Sequence, residues 1–292
     1  MTPHTPKPTP RSVLAVVRTH KAQPTPGLIV DRPFPGPRVD YLDPWLMLDH
    51  FGPERVEPGD RGGLNPHPHR GFETVTLIFD GAMEHRDSSG GRGVIRPGGV
   101  QWMTAAAGIV HAEYREKAFV ARGGYLHGVQ LWVNLPRKDK MTAPGYQDLP
   151  AEVIPVVEDE HTRVCVIAGS HAGVSGVART FTPLTLLRAT LKAGASLDVD
   201  VPSDHTAAAY VVSGAVSSGQ ATAGARQLLV FDRDGSRIPL RADADTDLLV
   251  LGGAPLDEPV VSWGPFVMST REEIVQAQRD YAMGKMGFVA EE

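Results

Sequence analysis

The sequence is poor in the features that mark secreted, membrane-spanning and nucleic-acid-binding proteins. It contains one cysteine, Cys165, so a disulfide within the chain is impossible, and this usage suits a reducing cytoplasm. No apolar run approaches the roughly 20 residues that a transmembrane helix needs, and no apolar signal segment is present. The formal net charge of -5 gives no reason to expect direct binding to nucleic acid or to an anionic membrane. We therefore expect a cytoplasmic protein that acts away from membranes.

Helical periodicity is also scarce, whereas turn residues are abundant. The 31 glycines and 25 prolines are spread along the chain, which is typical of short strands joined by tight turns. Alternating segments recur at the spacing of a sandwich or barrel. The exception is the segment 269–287, where a capping box made by Thr270 with Glu273, or by the pair one residue earlier, predicts a helix start. The predicted fold is all-β with a short C-terminal helix.

Composition divides the chain into three parts. Residues 1–12 are rich in proline and threonine, and we expect them to form a flexible tail. Residues 136–149 are charged and rich in turn formers, which is typical of a linker between domains. We place the boundary within this stretch, so that the predicted domains are 13–140 and 141–292.

The two predicted domains share a weak rhythm. The segments "HPHRGFETVTLIFDG" and "PSDHTAAAYVVSGAV" each contain a polar turn, an alternating strand and a glycine. The first carries two histidines and a glutamate, whereas the second carries only His205. If the domains are duplicated barrels, metal chemistry belongs to the first and has been lost from the second.

The stretch "NPHPHRGFE", residues 65–73, places His67 and His69 two positions apart. On a strand such residues point to the same face, so both imidazoles can enter one cavity. Chance alone gives about 0.4 such pairs in a chain with this histidine content, so the pair by itself is weak evidence. The segment "GIVHAEY" strengthens it, because His111 and Glu113 have the same spacing. We expect these four residues to form a metal site rather than to be hydrogen-bonded residues of the core.

Three imidazoles and one carboxylate leave open positions on an octahedral metal for water, a substrate oxygen or dioxygen. Structural zinc sites more often use cysteines, which this chain does not supply in sufficient number. The donor set therefore favours iron, and manganese, nickel, copper and zinc stay open on affinity alone.

Glu73 follows His69 by four residues and shares its face if the strand runs unbroken. It could be a metal ligand, a hydrogen-bond partner of an imidazole, or a general base. Gly71 lies between the two residues and would change the face of Glu73 if it bends the strand.

The chain resembles a known superfamily at these positions. It contains the run His67-x-His69-x3-Glu73, followed by Gly81, Pro97-x-Gly99 and His111. This run resembles the two sequence motifs of the cupin superfamily. Further segments, among them "LDPWLMLDHFG", "LHGVQLWVNLP" and "GGAPLDEPVVSWGPFVMST", resemble the pirin family, and the match runs from about residue 40 to residue 285.

The resemblance implies a bicupin, that is, two antiparallel β-barrel (jelly-roll) domains that face each other, with metal in the N-terminal one only. It implies one metal ion, Fe(II), held by the side chains that match the ligand positions of the family: His67, His69, His111 and Glu113. It also implies that Glu73 lies beside the metal ligands and does not itself bind the metal.

The resemblance implies two kinds of activity. The first is that of a quercetin 2,3-dioxygenase, which acts on a flavonol-like substrate with O2 while Glu73 or Glu113 accepts the proton of the 3-hydroxyl group. The second is an iron-dependent redox sensor that binds a partner protein, either a transcriptional co-regulator or a metabolic enzyme. A storage-type bicupin with a vestigial metal site stays open as a third interpretation. We expect a monomeric dioxygenase.

Overall fold

The structure, a computed structural model, describes residues 8–25 and 27–290, which are mostly antiparallel strands. The first strands of the described chain are β1 (Val13–Arg18), β2 (His20–Thr25), β3 (Leu28–Phe34), β4 (Trp45–Val56), β5 (Gly63–His69), β6 (Phe72–Asp80), β7 (Met83–Asp87), β8 (Arg92–Ile95), β9 (Val100–Thr104), β10 (Ile109–Arg115), β11 (Gly124–Asn134) and β12 (Gly145–Leu149). The later strands are β13 (Val156–Glu158), β14 (Thr162–Ala168), β15 (Ser170–His171), β16 (Val174–Ser175), β17 (Leu184–Leu191), β18 (Ser196–Asp200), β19 (Thr206–Ser213), β20 (Ala215–Ser218), β21 (Ala221–Gly224), β22 (Gln227–Phe231), β23 (Arg237–Ala242), β24 (Thr246–Gly253), β25 (Val261–Trp263) and β26 (Phe266–Met268).

Helical structure in the described residues is limited to α1 (Lys117–Arg122), α2 (Arg271–Ala282) and two 3-10 turns, Arg137–Asp139 and Ala151–Val153. The predicted all-β class with a short C-terminal helix is therefore confirmed. None of these helices combines the length and the apolar character that crossing a membrane requires.

The strands form two compact units that are discontinuous in sequence. The first, which we call the histidine unit, comprises the described residues of 21–36, 43–154 and 256–290. The other, the second unit, comprises the described residues of 8–20, 37–42 and 155–255. The domains predicted from composition, 13–140 and 141–292, were contiguous. The units differ from them because β1 pairs with β22 of the second unit, and the C-terminal segment packs on the histidine unit.

The histidine unit contains a seven-stranded sheet in the order β12-β9-β6-β11-β4-β3-β2 and a four-stranded sheet in the order β5-β10-β7-β8. The two sheets face each other: the Gln130 amide on β11 of the larger sheet donates to the Glu113 carboxylate on β10 of the smaller one. Strands β25 and β26 form a separate hairpin. The space between the facing sheets therefore contains polar side chains.

The second unit also pairs a seven-stranded sheet, β1-β22-β19-β24-β17-β14-β13, with a four-stranded sheet, β18-β23-β20-β21. Its interior is aliphatic: Val199 and Ile238 from the smaller sheet pack with Val211 and Leu248 from the larger one. His205 lies in the turn before β19, and its carbonyl oxygen accepts a hydrogen bond from Arg11.

The predicted tail, residues 1–12, falls partly outside the described residues. Within the described part, Arg11 is buried, and its guanidinium donates to the carbonyl oxygens of Gly235, His205 and Pro202. Arg11 is therefore held in place by these hydrogen bonds, and the flexible tail over residues 1–12 stays a prediction.

Helix α2 begins as the sequence predicts. Thr270 is the N-cap, and Glu273 completes the capping box with it. Its buried residues are Ile274, Ala277 and Asp280, whereas Tyr281 is exposed. Asp280 is buried because it forms an ion pair with Arg70.

Candidate metal centre

Two adjacent strands bring three of the predicted ligands together. His67 and His69 lie on β5, which pairs antiparallel with β10 so that His111 is opposite His67. One ring nitrogen from each of the three lies within 4.8 Å of one from each of the others. The ring centroids are 4.3 Å apart for His67 and His111, and 4.9 Å apart for His69 and His111. This cluster follows from strand alternation, which turns both β5 histidines to one face.

Backbone carbonyls fix the tautomers of the two β5 histidines. Nδ1 of His67 lies 2.8 Å from the carbonyl oxygen of Asn65, and Nδ1 of His69 lies 3.3 Å from that of Pro265. A carbonyl oxygen can only accept, so each Nδ1 carries the proton and each Nε2 keeps a lone pair. Histidines that bind metals are commonly oriented in this way.

The buried imidazole of His111 lacks hydrogen bonds to the described residues. Its side chain is 0% exposed, and neither ring nitrogen has a hydrogen-bond partner among the described residues. A buried polar atom without a partner costs about 1–3 kcal/mol, so an orphaned imidazole requires an explanation. A cation at the centre of the three rings would supply it.

Burial also keeps two of the clustered imidazoles, those of His69 and His111, neutral. It lowers the pKa of His69 and of His111 well below the usual range, and the neighbouring histidines lower both further. Neutral imidazole is the form that binds a metal ion. The three side chains therefore fit a divalent transition metal in donor type and convergence, and His69 and His111 also fit it in protonation.

The structure holds Glu113, the fourth predicted ligand, slightly apart from this group. Within the described chain, the three-histidine group does not include it. Its buried carboxylate accepts from Gln130 Nε2 at 3.2 and 3.1 Å, and from Thr76 Oγ1 at 3.4 Å. The β5–β10 register shifts between His111 and Glu113, which separates the carboxylate from a regular ladder position. Metal ligation by Glu113 remains a prediction.

Glu73 lies on the other face of the large sheet. The chain turns at Gly71, which has a φ of 89°, and β6 therefore lies in a different sheet from β5. Thr76 on β6 points to Glu113, and Glu73, three residues earlier on the same regular strand, points the opposite way. The expected position of Glu73 beside the metal ligands is therefore not observed, and the geometry gives no support to Glu73 as a base.

Glu73 has a well-defined environment of its own. Its carboxylate accepts a 2.7 Å hydrogen bond from Thr104 Oγ1. Burial raises the pKa of Glu73 to about 7, although the Thr104 hydrogen bond works against this rise.

A second buried histidine network, which the sequence interpretation did not assign to the site, adjoins His111. The ring of His85 lies 5.4 Å from that of His111. Its Nε2 is 2.9 Å from Asp87 Oδ2, and its Nδ1 is 2.7 Å from Gln101 Nε2. Both ring nitrogens are thus engaged, so His85 supports the neighbouring strand rather than adding a free donor.

The sequence contained a signal for this network. His85 and Asp87 lie two residues apart on β7, which is the spacing of the other two pairs. Burial opposes ionisation of Asp87, but hydrogen bonds from His85, Ser89 and Gly91 outweigh it and hold the pKa at about 2. Asp87 is therefore charged at neutral pH.

Aromatic side chains line the site next to His69. The ring centroids of Phe72 and Trp132 lie 5.1 and 5.3 Å from that of His69, and they lie 4.2 Å from each other. The indole N–H of Trp132 has no hydrogen-bond partner among the described residues. The site therefore combines an apolar aromatic wall with one available donor.

Comparisons with known proteins agree with this geometry. The family model described as Pirin matches residues 27–133, and the model described as Pirin C-terminal cupin domain matches residues 186–287. A Pseudomonas aeruginosa protein named "Putative quercetin 2,3-dioxygenase" is 48% identical over 248 residues, which cover 84% of this chain and 87% of that protein. Pirin of Rattus norvegicus is 38% identical over 268 residues, which cover 90% of this chain and 89% of that protein.

A solved structure has a similar fold over nearly the whole chain. The crystal structure of quercetin 2,3-dioxygenase from Acinetobacter baumannii at 1.88 Å resolution superposes with a TM-score of 0.90. It is 37% identical, and the superposition covers 97% of this chain and 100% of that chain. The predicted bicupin fold is confirmed by this similarity together with the two matched family models.

Proposed function

The chain belongs to the pirin family, and from this premise we propose that it is a metal-dependent dioxygenase of the quercetin 2,3-dioxygenase type. In this proposal it binds one Fe(II) ion and acts on a flavonol-like substrate with O2. The names of its relatives favour this reaction over others of the cupin fold. The observation that carries the proposal is the cluster of three buried or half-buried imidazoles, two of which have Nδ1 fixed by backbone carbonyls.

The histidines His67, His69 and His111 would hold the metal through ring nitrogens, and Glu113 completes the donor set in this proposal. A bound Fe(II) would supply Lewis acidity and open positions for oxygen donors. Gln130 and Thr76 orient the Glu113 carboxylate by hydrogen bonds to its oxygens.

Glu113 is also the carboxylate that we propose as proton acceptor for the substrate hydroxyl group. It lies on the strand of His111 and faces the interior, whereas Glu73 faces the opposite side of the large sheet. The partly buried ring of Trp132, which packs on the fully buried Phe72, offers an aromatic surface beside His69 for a planar substrate. The Trp132 N–H is available to a substrate oxygen.

The test starts from protein purified without a metal-affinity tag, whose metal content is measured by elemental analysis. Iron-loaded protein then receives quercetin in air, and oxygen uptake and carbon monoxide release are followed. We expect turnover in the wild-type protein and its loss in the His67→Ala/His69→Ala double variant. The matched control is His161→Ala, because His161 is exposed and belongs to the second unit. Iron-loaded wild-type protein that turns over no faster than the double variant would exclude the dioxygenase.

A second candidate is an iron-dependent redox sensor that acts by binding a partner protein. It is favoured by exposed apolar side chains on the C-terminal segment, since Trp263, Met283 and Phe288 are 66%, 60% and 83% exposed. The same segment contacts His69 through the Pro265 carbonyl. The measurement is capture of proteins from a cell extract by the Fe(II), Fe(III) and metal-free forms. Identical captured sets from the three forms would contradict the sensor.

A further inference from the structure

The turn that follows the His69 strand is held by the C-terminal segment, residues 256–290. This turn, Arg70–Gly71, joins β5 to β6 and so connects the two sheets of the histidine unit. The C-terminal segment contains the β25–β26 hairpin and α2, and it belongs to the same compact unit. Contacts of the hairpin and of the helix with this turn can therefore affect the position of the histidines.

The hairpin contacts three consecutive residues of β5 and the turn. The Pro265 carbonyl accepts from His69 Nδ1, and the Val267 amide donates to the Arg70 carbonyl at 3.0 Å. The Val267 carbonyl lies where a Cβ on Gly71 would be, so only glycine fits there. The hairpin thus fixes both the tautomer of His69 and the course of the chain after it.

Helix α2 fixes the turn from a second side. The buried guanidinium of Arg70 donates through Nη1 to Asp280 Oδ2 at 2.9 Å. Asp280 Oδ1 accepts from Gln276 Nε2 and from Lys285 Nζ, both at 2.9 Å. Lys285 and Arg70 hold the pKa of Asp280 at about 2, so the carboxylate stays charged at neutral pH. Loss of this charge would leave the buried guanidinium without its counter-ion.

We propose that Asp280 is a positioning residue for the metal site, because it fixes Arg70 and thereby the turn and hairpin that orient His69. Asp280 has no hydrogen bond or ring contact with a histidine in the described structure; its effect passes through Arg70. The inference rests on the proposed function in one respect, namely that the three histidines bind a metal ion. It adds that the affinity of that site depends on an ion pair made by α2.

The principal experiment compares Co(II) affinity in the wild-type protein and in the Asp280→Asn variant. Asparagine keeps the shape of the side chain but removes its charge. We expect Co(II) to bind about 10-fold more weakly in the variant, the lower end of the cost of losing a residue hydrogen-bonded to a metal ligand, because Asp280 reaches His69 through Arg70. The matched control is Asp247→Asn, since Asp247 pairs with Arg188 in the second unit at 2.7 Å. It should bind Co(II) as the wild-type protein does.

A second readout separates positioning from general support of the fold. In metal-free protein, 15N NMR reports which ring nitrogen of His69 carries the proton. We expect the Nδ1–H form in the wild-type protein and a mixture of tautomers in Asp280→Asn, with unfolding temperatures of both aspartate variants measured in parallel. Asp280→Glu restores the charge and should recover part of the affinity. If Asp280→Asn does not fold, Arg70→Lys takes its place in both measurements.

The outcomes distinguish this inference from the proposed function. A folded variant with wild-type Co(II) affinity and an unchanged Nδ1–H form of His69 overturns the inference and leaves the proposed function intact. Wild-type protein that binds no Co(II) contradicts the proposed metal site, and the tautomer of metal-free His69 then still decides whether Asp280 positions that ring. Loss of affinity in Asp247→Asn to the same extent as in Asp280→Asn would also overturn the inference, because the effect would then be a general one.

Discussion

His69 donates from Nδ1 to the carbonyl oxygen of Pro265, which lies 196 positions later in the chain. This bond joins a strand near the beginning of the histidine unit to a hairpin near its end. The Nε2 lone pair of His69 depends on it, because proton placement on one ring nitrogen determines the state of the other. The candidate metal centre is therefore a product of two distant parts of the sequence.

The first prediction concerns Glu73. In the folded protein this carboxyl has a pKa of about 7, whereas in the unfolded chain it loses its proton near its ordinary pKa of 4.5. Between these values the unfolded state binds fewer protons, so Glu73 makes the free energy of unfolding fall as pH rises from about 4.5 to about 7. Glu73→Gln, which mimics the protonated form, should be more stable than the wild-type protein at pH 8, by up to about 3 kcal/mol, and similar to it at pH 4.5.

Urea denaturation of both proteins across this pH range measures the difference, and the contributions of the histidines cancel because both proteins contain them. The metal affinity of Glu73→Gln should equal that of the wild-type protein, since Glu73 faces away from Glu113 across the sheet. A large loss of metal affinity would contradict this placement and show that Glu73 acts at the metal site.

The second prediction concerns Gln130, whose amide contacts both oxygens of Glu113. Gln130→Leu leaves the buried carboxylate with a single side-chain donor among the described residues, Thr76, and frees it to rotate. We expect metal affinity to fall about 10- to 100-fold, because in the proposed site Gln130 orients the Glu113 carboxylate as a metal ligand. Calorimetric titration of metal-free protein with Co(II) measures it.

The control for Gln130 is Gln147→Leu. Gln147 is a buried glutamine on β12 of the same sheet, and it pairs with Trp102 on the face that carries Glu73. Its replacement should leave the metal affinity unchanged. Equal affinities for the wild-type protein and Gln130→Leu would show that Glu113 needs no support from the large sheet.

The sequence predicted the features that local rules determine. Strand alternation brought His67 and His69 to one face, and the capping box at Thr270 set the start of α2. Both depend on residues within four positions of each other. Local rules left the face of Glu73 open, because Gly71 interrupts the strand where the Val267 carbonyl approaches it.

The division into the two compact units likewise depends on contacts between distant residues. The charged stretch 136–149 has the composition of a linker, yet it contains β12, and Lys140 within it is buried. The Lys140 ammonium reaches carbonyl oxygens of Gly71 and Val267, which are far from it in sequence. Charge patterns report what a side chain is, whereas these contacts depend on which segments the fold brings together.

The third prediction concerns the hydrogen bonds of the buried Lys140 ammonium. Lys140 Nζ donates to the Gly71 and Val267 carbonyls and to the Asn134 side chain. Lys140→Met leaves three acceptors without their donor, and we expect the free energy of unfolding to fall by about 3 kcal/mol. The control Lys138→Met changes an exposed lysine two residues earlier and should have no measurable effect. Circular dichroism during urea denaturation compares the two, and equal stabilities would contradict the assigned role of Lys140.

The fourth prediction concerns Arg11, whose buried guanidinium donates to three carbonyl oxygens of the second unit. Arg11→Met removes these charge-assisted bonds and should lower the stability of that unit by about 2–4 kcal/mol, because the carbonyl groups lose their donor. The control is Arg18→Met, since Arg18 lies on the neighbouring strand β1 and is exposed. Differential scanning calorimetry can detect the change even if the two units unfold in separate steps. A thermogram of Arg11→Met identical to that of Arg18→Met would mean that the Arg11 side chain does not stabilise the second unit, as expected for a residue in a flexible tail.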